Sequence, residues 1–499
     1  MTTSKPSNSG DVRNSKGSLA DLSLGKAIHI GMFWNFIGFV AMQSSAFLIF
    51  IILAIKLPPE IFGVVALAAV AADVIGMDGR YACMDAVIQA GKFDKRTLNT
   101  SFASFLMVAI AVCVAMMVAS RYIGSIEGYE LVGLFLPLFG LMILPIPWLA
   151  VMDAIIMRDL GFKQLTQRSI LGTVVGGAAG IAVAFSPYLI WALVVQRIVA
   201  LVVTTLFEFN YTRWTPGIDI DHKGVKSFLK RFFPLWAIAS LNQAAPRITM
   251  VVFGSRYDTA TVGLLRAANR IGDTLQGPLV NPMMGLWFPL MAKVRGDKQG
   301  ESEIYTSIIR TAAFLSLPTF AGLALVSQDV AHVLLPDSYS GVGPLLRAIS
   351  IISLMIPIAW FNAIVMSALE LNKQSLIFTV CTVLLSVGTL LAIPNSSAAN
   401  AIIIMSVPTW IFAFVGHAII HRRLELSSLR HYKSLFPAML ATLAMSACVW
   451  TLYLIAASWF PLTRLIVAIL CGAIVYIGWL LVFHRQWFMS NLTLIRGKA

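Results

Sequence analysis

The sequence predicts an all-α polytopic membrane protein with about fourteen transmembrane helices. Of its 499 residues, 58 % are hydrophobic and only 12 % are charged, and the mean hydropathy is +0.82. A soluble globular protein carries about 45–50 % apolar and about 25 % charged residues. The composition therefore excludes a water-soluble multidomain enzyme. Apolar material runs from residue 27 to residue 484, which excludes a disordered chain as well.

Fourteen segments are long and apolar enough to span a bilayer, because one span needs about 20 mostly apolar residues. In chain order they are 28–55, 62–88, 98–120, 130–155, 168–186, 188–208, 232–254, 260–292, 308–327, 344–369, 374–393, 398–420, 435–457 and 463–483. An even number of spans predicts that both termini lie on the same side of the membrane.

The basic residues orient these spans. With both termini inside, the internal loops and tails hold 27 of the 37 Lys and Arg residues, whereas the external loops hold four. Membrane proteins concentrate Lys and Arg in their cytoplasmic loops, so both termini are predicted to be cytoplasmic. Arg168, Arg310 and Arg464, within two residues of a span end, are counted with the adjoining loops. The other six basic residues lie deeper within the spans: Arg80, Arg197, Arg247, Arg266, Arg270 and Arg347.

Residues 28–231 and 232–431 are predicted to be two copies of one six-span unit. The local match has an offset of 200 and pairs Gly63 with Gly263 and Asp73 with Asp273. Six spans per copy give a parallel pseudo-two-fold repeat about an axis along the membrane normal, and transporters built in this way place their substrate between two lobes. The remaining predicted parts are a disordered cytoplasmic tail (1–27), spans 13 and 14 (432–485) and a second cytoplasmic tail (486–499).

The predicted loops are too short for a catalytic domain. The longest, about 209–231 and 328–343, each have fewer than 25 residues. No GxxxxGK[ST], HExxH or GxSxG element occurs where its chemistry would need it. The five cysteines lie in apolar segments without a CxxC pair, and no metal or other cofactor is predicted. His417 and His421, at the internal end of span 12, are interpreted as a solvated interfacial pair.

Charged residues within the spans are candidates for function. A charge at bilayer depth costs about 2.5–3.5 kcal/mol by insertion scales, so it normally faces protein or water. In span 8, Arg266, Arg270 and Asp273 are spaced i, i+4, i+7 and share one helix face. Arg270 lies about 15 Å below the external surface, near the midplane. Arg197 in span 6 reaches a similar depth, and Arg247 in span 7 lies somewhat higher.

Two interpretations of these arginines stay open. A diphosphate needs several convergent donors, and a guanidinium group matches phosphate oxygens in a bidentate way. Four residues are therefore predicted to form a cationic cavity that binds a diphosphate or an acidic sugar: Arg197, Arg247, Arg266 and Arg270. In the alternative, each arginine pairs with a carboxylate and holds helices together, as Arg270 would with Asp273.

The carboxylates within the spans also allow two interpretations. Asp73, Asp78 and Asp273 are candidates for coupling transport to a proton or sodium gradient. The alternative for span 2 is a structural network centred on Arg80, with Asp85 at the internal surface.

Short motifs in spans 2, 7 and 8 are similar to those of polysaccharide exporters. They are Leu57-Pro58-Pro59-Glu60-Ile61-Phe62-Gly63, Ile75-Gly76-Met77-Asp78, Ala86-Val87-Ile88-Gln89, Asn242, Phe253-Gly254, Val262-Gly263, Ala267-Ala268-Asn269-Arg270-Ile271 and Phe288-Pro289-Leu290. With its fourteen predicted spans and about 500 residues, the chain resembles the Wzx-type flippases of the multidrug/oligosaccharidyl-lipid/polysaccharide (MOP) exporter superfamily along its length. One departure is Arg247, since many relatives carry an acidic residue in span 7.

The resemblance implies both a fold and a function. The implied fold is MOP/MATE-like, with two lobes around a V-shaped cavity. The implied function is to flip undecaprenyl-diphosphate-linked oligosaccharide repeat units across the bacterial inner membrane by alternating access, for exopolysaccharide or O-antigen biosynthesis, without enzymatic activity. The implied partners are this lipid-linked oligosaccharide, membrane lipids, and the polymerase and chain-length proteins of the same pathway, but no nucleic acid.

Two other functions stay open. One is a small-molecule or cation antiporter of the drug-export branch of the same superfamily, whose members usually have twelve spans and for which an arginine-rich lumen is poorly suited. The other is a membrane polysaccharide polymerase or ligase. Such an enzyme needs a large external loop with catalytic Arg and His, and no predicted external loop exceeds about 17 residues.

Overall fold

The computed structural model describes residues 24–91, 93–159, 161–242, 244–294, 297–369, 371–392 and 396–495. Its secondary structure in these ranges is helical, without a β-strand. Most of the predicted N-terminal tail and the last four residues lie outside them. The helices are α1 (Leu24–Ala54), α2 (Pro59–Asp73), α3 (Arg80–Ala90), α4 (Lys95–Ile123), α5 (Glu130–Ile143), α6 (Ile146–Arg158), α7 (Phe162–Ala184), α8 (Ala192–Thr212), α9 (His222–Asn242), α10 (Ala244–Arg256), α11 (Thr259–Lys293), α12 (Lys298–Leu334), α13 (Val342–Ser353), α14 (Ile356–Ala368), α15 (Asn372–Ala392), α16 (Ala398–Arg423), α17 (Ser428–Ile455), α18 (Pro461–Phe483) and α19 (Arg485–Ile495).

The structure is that of a polytopic helical membrane protein. Each of the fourteen predicted segments overlaps one helix or two consecutive helices. Among the described residues, eight helices are long and apolar enough to cross a membrane, and the pair α5 and α6, bent by 41°, raises this number to nine. The count of fourteen spans therefore stays a prediction.

Helices α2 and α11 cross with their backbones in contact. A Cβ atom added to Gly63 would lie 1.9 Å from the carbonyl oxygen of Thr259, and one added to Gly263 would lie 1.8 Å from that of Pro59. Both distances are far inside van der Waals contact, so this crossing requires glycine at both positions. The two contacts are equivalent under the predicted repeat offset of 200: Gly63 corresponds to Gly263, and Pro59 corresponds to Thr259.

Polar contacts hold the beginnings of these two helices in place. The Asp258 side chain accepts a hydrogen bond from the Thr261 backbone N–H at 2.8 Å and caps α11. The Tyr339 hydroxyl, which is buried, donates to the carbonyl oxygen of Leu57 at 2.7 Å and joins the turn before α13 to the start of α2. The α2–α11 crossing is therefore anchored at one end.

Helix α2 continues into α3 through one turn of π-helix, Val74–Gly79. Such turns have i→i+5 hydrogen bonds, are rare, and occur frequently at functional sites. Two of the candidate carboxylates are at this turn: Asp73 ends α2 directly before it, and Asp78 lies within it.

A closed ring of four ion pairs joins α3, α6, α7 and α8. Arg80 pairs with Asp153 and, at 2.7 Å, with Glu208, and Arg168 pairs with both of these carboxylates. The two carboxylates are at most 3 % exposed, so each needs a positive partner in this site. The structure thus contains the network predicted around Arg80, although its acidic residues come from α6 and α8 rather than from span 2.

Helices α17 and α18 pack on α12 through polar contacts near its C-terminal end and at its middle. Near the C-terminal end, the Arg464 guanidinium group forms a bidentate pair with Asp329 (2.6 and 2.8 Å), and the Tyr453 hydroxyl donates to the same carboxylate at 2.6 Å. At the middle of α12, the Tyr476 hydroxyl donates to the Phe314 carbonyl oxygen at 2.8 Å. These contacts attach the last two predicted spans to the helices before them.

The interpretation of His417 and His421 as a solvated pair is wrong. Their exposed fractions are 0 % and 3 %, and their rings lie 4.1 Å apart. The Tyr305 hydroxyl lies 2.6 Å from His417 Nδ1, and the Tyr432 ring lies 5.4 Å from the His417 ring. Helices α12 and α17 therefore cover this end of α16, which hydropathy along α16 alone does not indicate.

Candidate functional site

Three of the four predicted arginines line one cavity. It has a volume of about 220 Å³ and lies between α1, α2, α8 and α11. Its lining residues are Ala46, Phe50, Leu53, Phe62, Val65, Ala66, Leu193, Gln196, Arg197, Arg266 and Arg270. Apart from the arginines and one glutamine the wall is apolar, so the charge of the cavity comes from the guanidinium groups.

Helix α11 contributes two of these arginines. Arg266 and Arg270 lie one turn apart on the face that the sequence predicts, and Arg266 is exposed to the cavity while Arg270 is half-buried. Within the described part of the chain, neither guanidinium group has a carboxylate within 4 Å. The alternative pairing of Arg270 with Asp273 is therefore not present, although Asp273 is exposed and near enough for its charge to act on both arginines.

Helix α8 contributes the third arginine, which does have a carboxylate partner. Arg197 Nη1 lies 2.9 Å from Asp73 Oδ1, and the two side chains are 32 % and 31 % exposed. The Arg197 guanidinium group also lies 5.3 Å from the centre of the Phe139 ring. An exposed ion pair of this kind is weak, so an anion that enters the cavity can compete with Asp73 for Arg197.

Arg247 lies elsewhere. Its guanidinium group forms a bidentate pair with Asp78 of the π-helical turn, with Nη2 and Oδ1 3.2 Å apart. The two side chains are 16 % and 6 % exposed, and neither lines the cavity. The neighbouring helix α9 contacts the same turn, because the Trp236 indole N–H donates to the Val74 carbonyl oxygen at 3.1 Å.

The charges favour an anionic ligand. Arg266 and Arg270 carry two positive charges without an ion-pair partner among the described residues, and Arg197 adds a third that is only weakly neutralised. Placing an unpaired charge at bilayer depth is costly, and a bound anion would remove much of that cost. A volume of about 220 Å³ is below the about 300–1,000 Å³ of pockets for drug-sized ligands, so the cavity fits a compact anionic group rather than an oligosaccharide.

A second cavity lies on the other side of α11. It has a volume of about 250 Å³ between α10, α11, α13, α15 and α16, and its lining contains no charged residue. Its residues are Met250, Leu265, Asn269, Ile349, Ile352, Ser353, Val383, Ser386, Val387, Ile402, Met405, Ser406 and Thr409. Sequence reasoning missed this cavity because its polar residues are uncharged and scattered over four helices.

Comparisons with known proteins point to polysaccharide biosynthesis. Residues 52–344 match the family described as "Polysaccharide biosynthesis protein". The chain is 20 % identical over 318 residues to the succinoglycan biosynthesis transport protein ExoT of Rhizobium meliloti (strain 1021), a match that covers 64 % of each chain. It is 22 % identical over 278 residues to the teichuronic acid biosynthesis protein TuaB of Bacillus subtilis (strain 168), covering 54 % of this chain and 56 % of that protein. Both matches span less than two thirds of the relative.

Solved structures share the fold. A structure described as "Lipid II flippase MurJ, inward closed conformation" superposes with a TM-score of 0.74 at 15 % identity, covering 92 % of this chain and 100 % of that one. An inward-facing multidrug resistance MATE family transporter of the MOP superfamily gives a TM-score of 0.60 at 18 % identity, covering 77 % and 94 %. The chain therefore has the MOP-superfamily fold that the sequence predicted.

Proposed function

The chain belongs to the family of polysaccharide biosynthesis proteins, whose match covers more than half of it, and we propose that it flips a lipid-linked oligosaccharide across the bacterial inner membrane. The substrate class we propose is undecaprenyl-diphosphate-linked repeat units, which move from the inner to the outer leaflet for later polymerisation. The proposed mechanism is alternating access by two six-helix lobes, 28–231 and 232–431, with both termini in the cytoplasm. Membrane lipids and the polymerase and chain-length proteins of the pathway are its proposed partners.

One observation carries this proposal: Arg266 and Arg270 face a cavity without an ion-pair partner among the described residues. The sequence predicts that Arg270 lies near the bilayer midplane. Arginines that only hold helices together are paired in this chain, as Arg80 and Arg168 are. Two guanidinium groups one turn apart can each contact phosphate oxygens in a bidentate way. A diphosphate supplies the compact negative charge that this site lacks.

We assign the diphosphate to Arg197, Arg266 and Arg270. Arg266 and Arg270 present it with fixed charges from α11, and Arg197 exchanges Asp73 for a phosphate oxygen from the opposite wall. The sugars and the polyprenyl chain extend beyond the cavity, since its volume does not hold them.

The carboxylates are proposed to couple transport to a proton or sodium gradient. Asp73 and Asp78 each have an arginine partner, so a proton or sodium ion that binds either carboxylate must displace an arginine. Asp273 has no ion pair among the described residues and is exposed beside Arg266 and Arg270. A change in its charge therefore acts directly on the proposed diphosphate site.

A strain that lacks this protein tests the proposal. We expect loss of the surface polymer and accumulation of undecaprenyl-diphosphate-linked oligosaccharide in the inner leaflet. Precursor that reaches the outer leaflet but is not polymerised would contradict a flippase and indicate an enzyme of a later step. Normal polymer and precursor, with genetic redundancy excluded, would indicate a drug or ion exporter.

Variants of Arg270 then test the site. Arg270→Ala should abolish polymer export while the protein inserts at its normal level, and Arg270→Lys should restore export only in part, because a point charge lacks the planar fork. Arg347→Ala is the matched control, since Arg347 also lies within a predicted span and is exposed but does not line the cavity. Full activity of both Arg270 variants would remove this residue from the site.

A further inference from the structure

The ion pair between Asp78 and Arg247 has features that a substrate site does not need. Both side chains are largely buried, their contact is bidentate, and it joins the π-helical turn of the first predicted unit to α10 of the second. Trp236 of α9 binds the same turn through the Val74 carbonyl oxygen. Two consecutive helices of one unit therefore hold a single turn of the other.

The π-helical turn determines where Asp78 points. In an α-helix, residues five positions apart point about 140° away from each other. A turn with i→i+5 hydrogen bonds brings such residues closer to the same face. Asp73 and Asp78, five positions apart across this turn, contact Arg197 on α8 and Arg247 on α10, respectively.

This pair lies at a distance from the α2–α11 crossing, which also joins the two units. The α2–α11 crossing is centred on Gly63, and Asp78 follows it by 15 residues along a nearly continuous helix, which corresponds to about 22 Å. The residues that α2 contributes to the arginine cavity, Phe62, Val65 and Ala66, lie at the crossing and on its Asp78 side. One close contact between the units is therefore at the external end of the cavity, and the other is displaced towards the cytoplasm.

We propose that the Asp78–Arg247 pair, carried on the π-helical turn, is a latch that keeps the cytoplasmic half of the two units closed and breaks when that half opens. This inference rests on the proposed alternating-access function. It assigns Arg247 to the conformational cycle rather than to the diphosphate, because its charge is already neutralised by a buried carboxylate. The Trp236–Val74 hydrogen bond is the second contact of the latch and breaks with it.

Distances between two labelled helices test this latch in the absence of any substrate. Nitroxide labels at Gln89→Cys on α3 and Lys226→Cys on α9 report on the cytoplasmic half, because both residues are exposed and the two helices pack together. Lys226 precedes the predicted boundary at residue 232, but it moves with the second unit because α9 continues across that boundary to Trp236 and beyond. The full-length chain, with its five native cysteines replaced by alanine, is reconstituted in lipid nanodiscs, and the distance distribution is measured by pulsed electron paramagnetic resonance.

Asp78→Asn leaves Arg247 without its counter-charge in a buried position. We expect the ratio of open to closed populations to rise about tenfold or more. The charge exchange Asp78→Arg with Arg247→Asp should return the distribution towards that of the parent chain. Asp85→Asn is the matched control, since Asp85 lies on the same long helix, is exposed and has no ion pair among the described residues.

Deletion of Gly76 tests the role of the π-helical turn itself. A Cβ atom at Gly76 would meet nothing within 4 Å, so the deletion removes one backbone residue and no side-chain contact. It should convert the turn to α-helix and place Asp78 four positions after Asp73, about 40° around the helix, so Asp78 stays on the side of Arg247 and the distances should stay close to those of the parent. A shift as large as that of Asp78→Asn would contradict this geometry. If the deletion variant does not fold, the charge variants alone decide the matter.

An unchanged distribution for Asp78→Asn, or an equal shift for Asp85→Asn, would overturn the latch. Neither result would affect the proposed substrate, because the measurement uses no cargo. Conversely, the expected distance shift for Asp78→Asn together with normal polymer in the strain that lacks this protein would refute the proposed flippase function. The conformational result would then still stand.

Discussion

The crossing of α2 and α11 allows a quantitative prediction. Gly263→Ala would place a Cβ atom 1.8 Å from the Pro59 carbonyl oxygen, and Gly63→Ala would place one 1.9 Å from that of Thr259. Neither neighbour is a flexible side chain that can turn away, so the two backbones must separate by more than about 1 Å before the overlap is relieved. Overpacking of this kind costs about 1–3 kcal/mol.

The double variant is the informative one, because both overlaps occur at the same crossing. Once the first alanine has separated the helices, the second Cβ atom enters the gap that has already opened. We therefore expect Gly63→Ala/Gly263→Ala to lower the free energy of unfolding by little more than the worse single variant. The interaction energy between the two positions should be about 1–3 kcal/mol.

Chemical unfolding of the purified protein in detergent, followed by tryptophan fluorescence, measures these differences. Gly388→Ala is the matched control: a Cβ atom at Gly388, within α15, would meet nothing within 4 Å. It should leave stability unchanged or raise it by up to about 1 kcal/mol, since alanine is the better helix former. Strictly additive losses, or single variants as stable as the parent, would refute the close crossing.

Three further variants test other parts of the structure. Asp73→Asn should make flux insensitive to collapse of the proton or sodium gradient if this carboxylate couples transport, and unchanged gradient dependence, measured in proteoliposomes, would exclude that role. Arg464→Gln leaves Asp329 buried without its cation, so the packing of α17 and α18 on α12 should be weakened by about 3–5 kcal/mol. The amide hydrogens of α17 and α18 should then exchange faster, and unchanged exchange would contradict this. Asp258→Ala should cost about 1 kcal/mol of unfolding free energy at neutral pH. Hydrogen bonds from Thr261 lower the pKa of Asp258 in the folded protein. The Asp258 cap therefore stabilises the protein fully above the unfolded-state pKa, and this stabilisation is lost as the pH falls through the lower, folded-state pKa. A difference in unfolding free energy between variant and parent that stays constant down to the folded-state pKa would contradict this.

The helices could be predicted from the sequence because bilayer thickness imposes a length on every apolar segment. The π-helical turn Val74–Gly79 could not, since it replaces few hydrogen bonds and leaves hydropathy unchanged. The bend between α5 and α6 does have a local signal, because Pro145 and Pro147 stand at it. The π-helical turn contains no proline, and neither of its glycines has a positive φ. The local sequence therefore does not predict the π-helical turn. Hydropathy along one segment also does not show that α9 and α10 contact this turn.

The partners of the buried charges could not be predicted from the sequence either. Arg197 and Arg247 both lie within apolar segments, yet their partners, Asp73 and Asp78, are 124 and 169 residues away in the chain. Which carboxylate meets which arginine depends on the order of helices in the membrane, and spacing along one helix carries no information about it. Where the argument needed only one helix, as for Arg266 and Arg270, the predicted common face agrees with the structure.

The repeat offset of 200 residues relates the α2 and α11 walls of the arginine cavity to each other. On α2 and α11, Arg266 corresponds to Ala66, and both residues line the same cavity. A cavity lined by equivalent positions of both units lies near the axis that relates them, where a ligand contacts both units at once. Of these two helices, however, only α11 contributes charge, because α2 has Val70 where α11 has Arg270. An anion bound there is held by α11 and completed by Arg197 from the opposite unit, so it forms a bridge that is strongest when the two units are close. If the proposed diphosphate binds there, it favours closure of the units around it, and removal of its charge should weaken closure as well as binding.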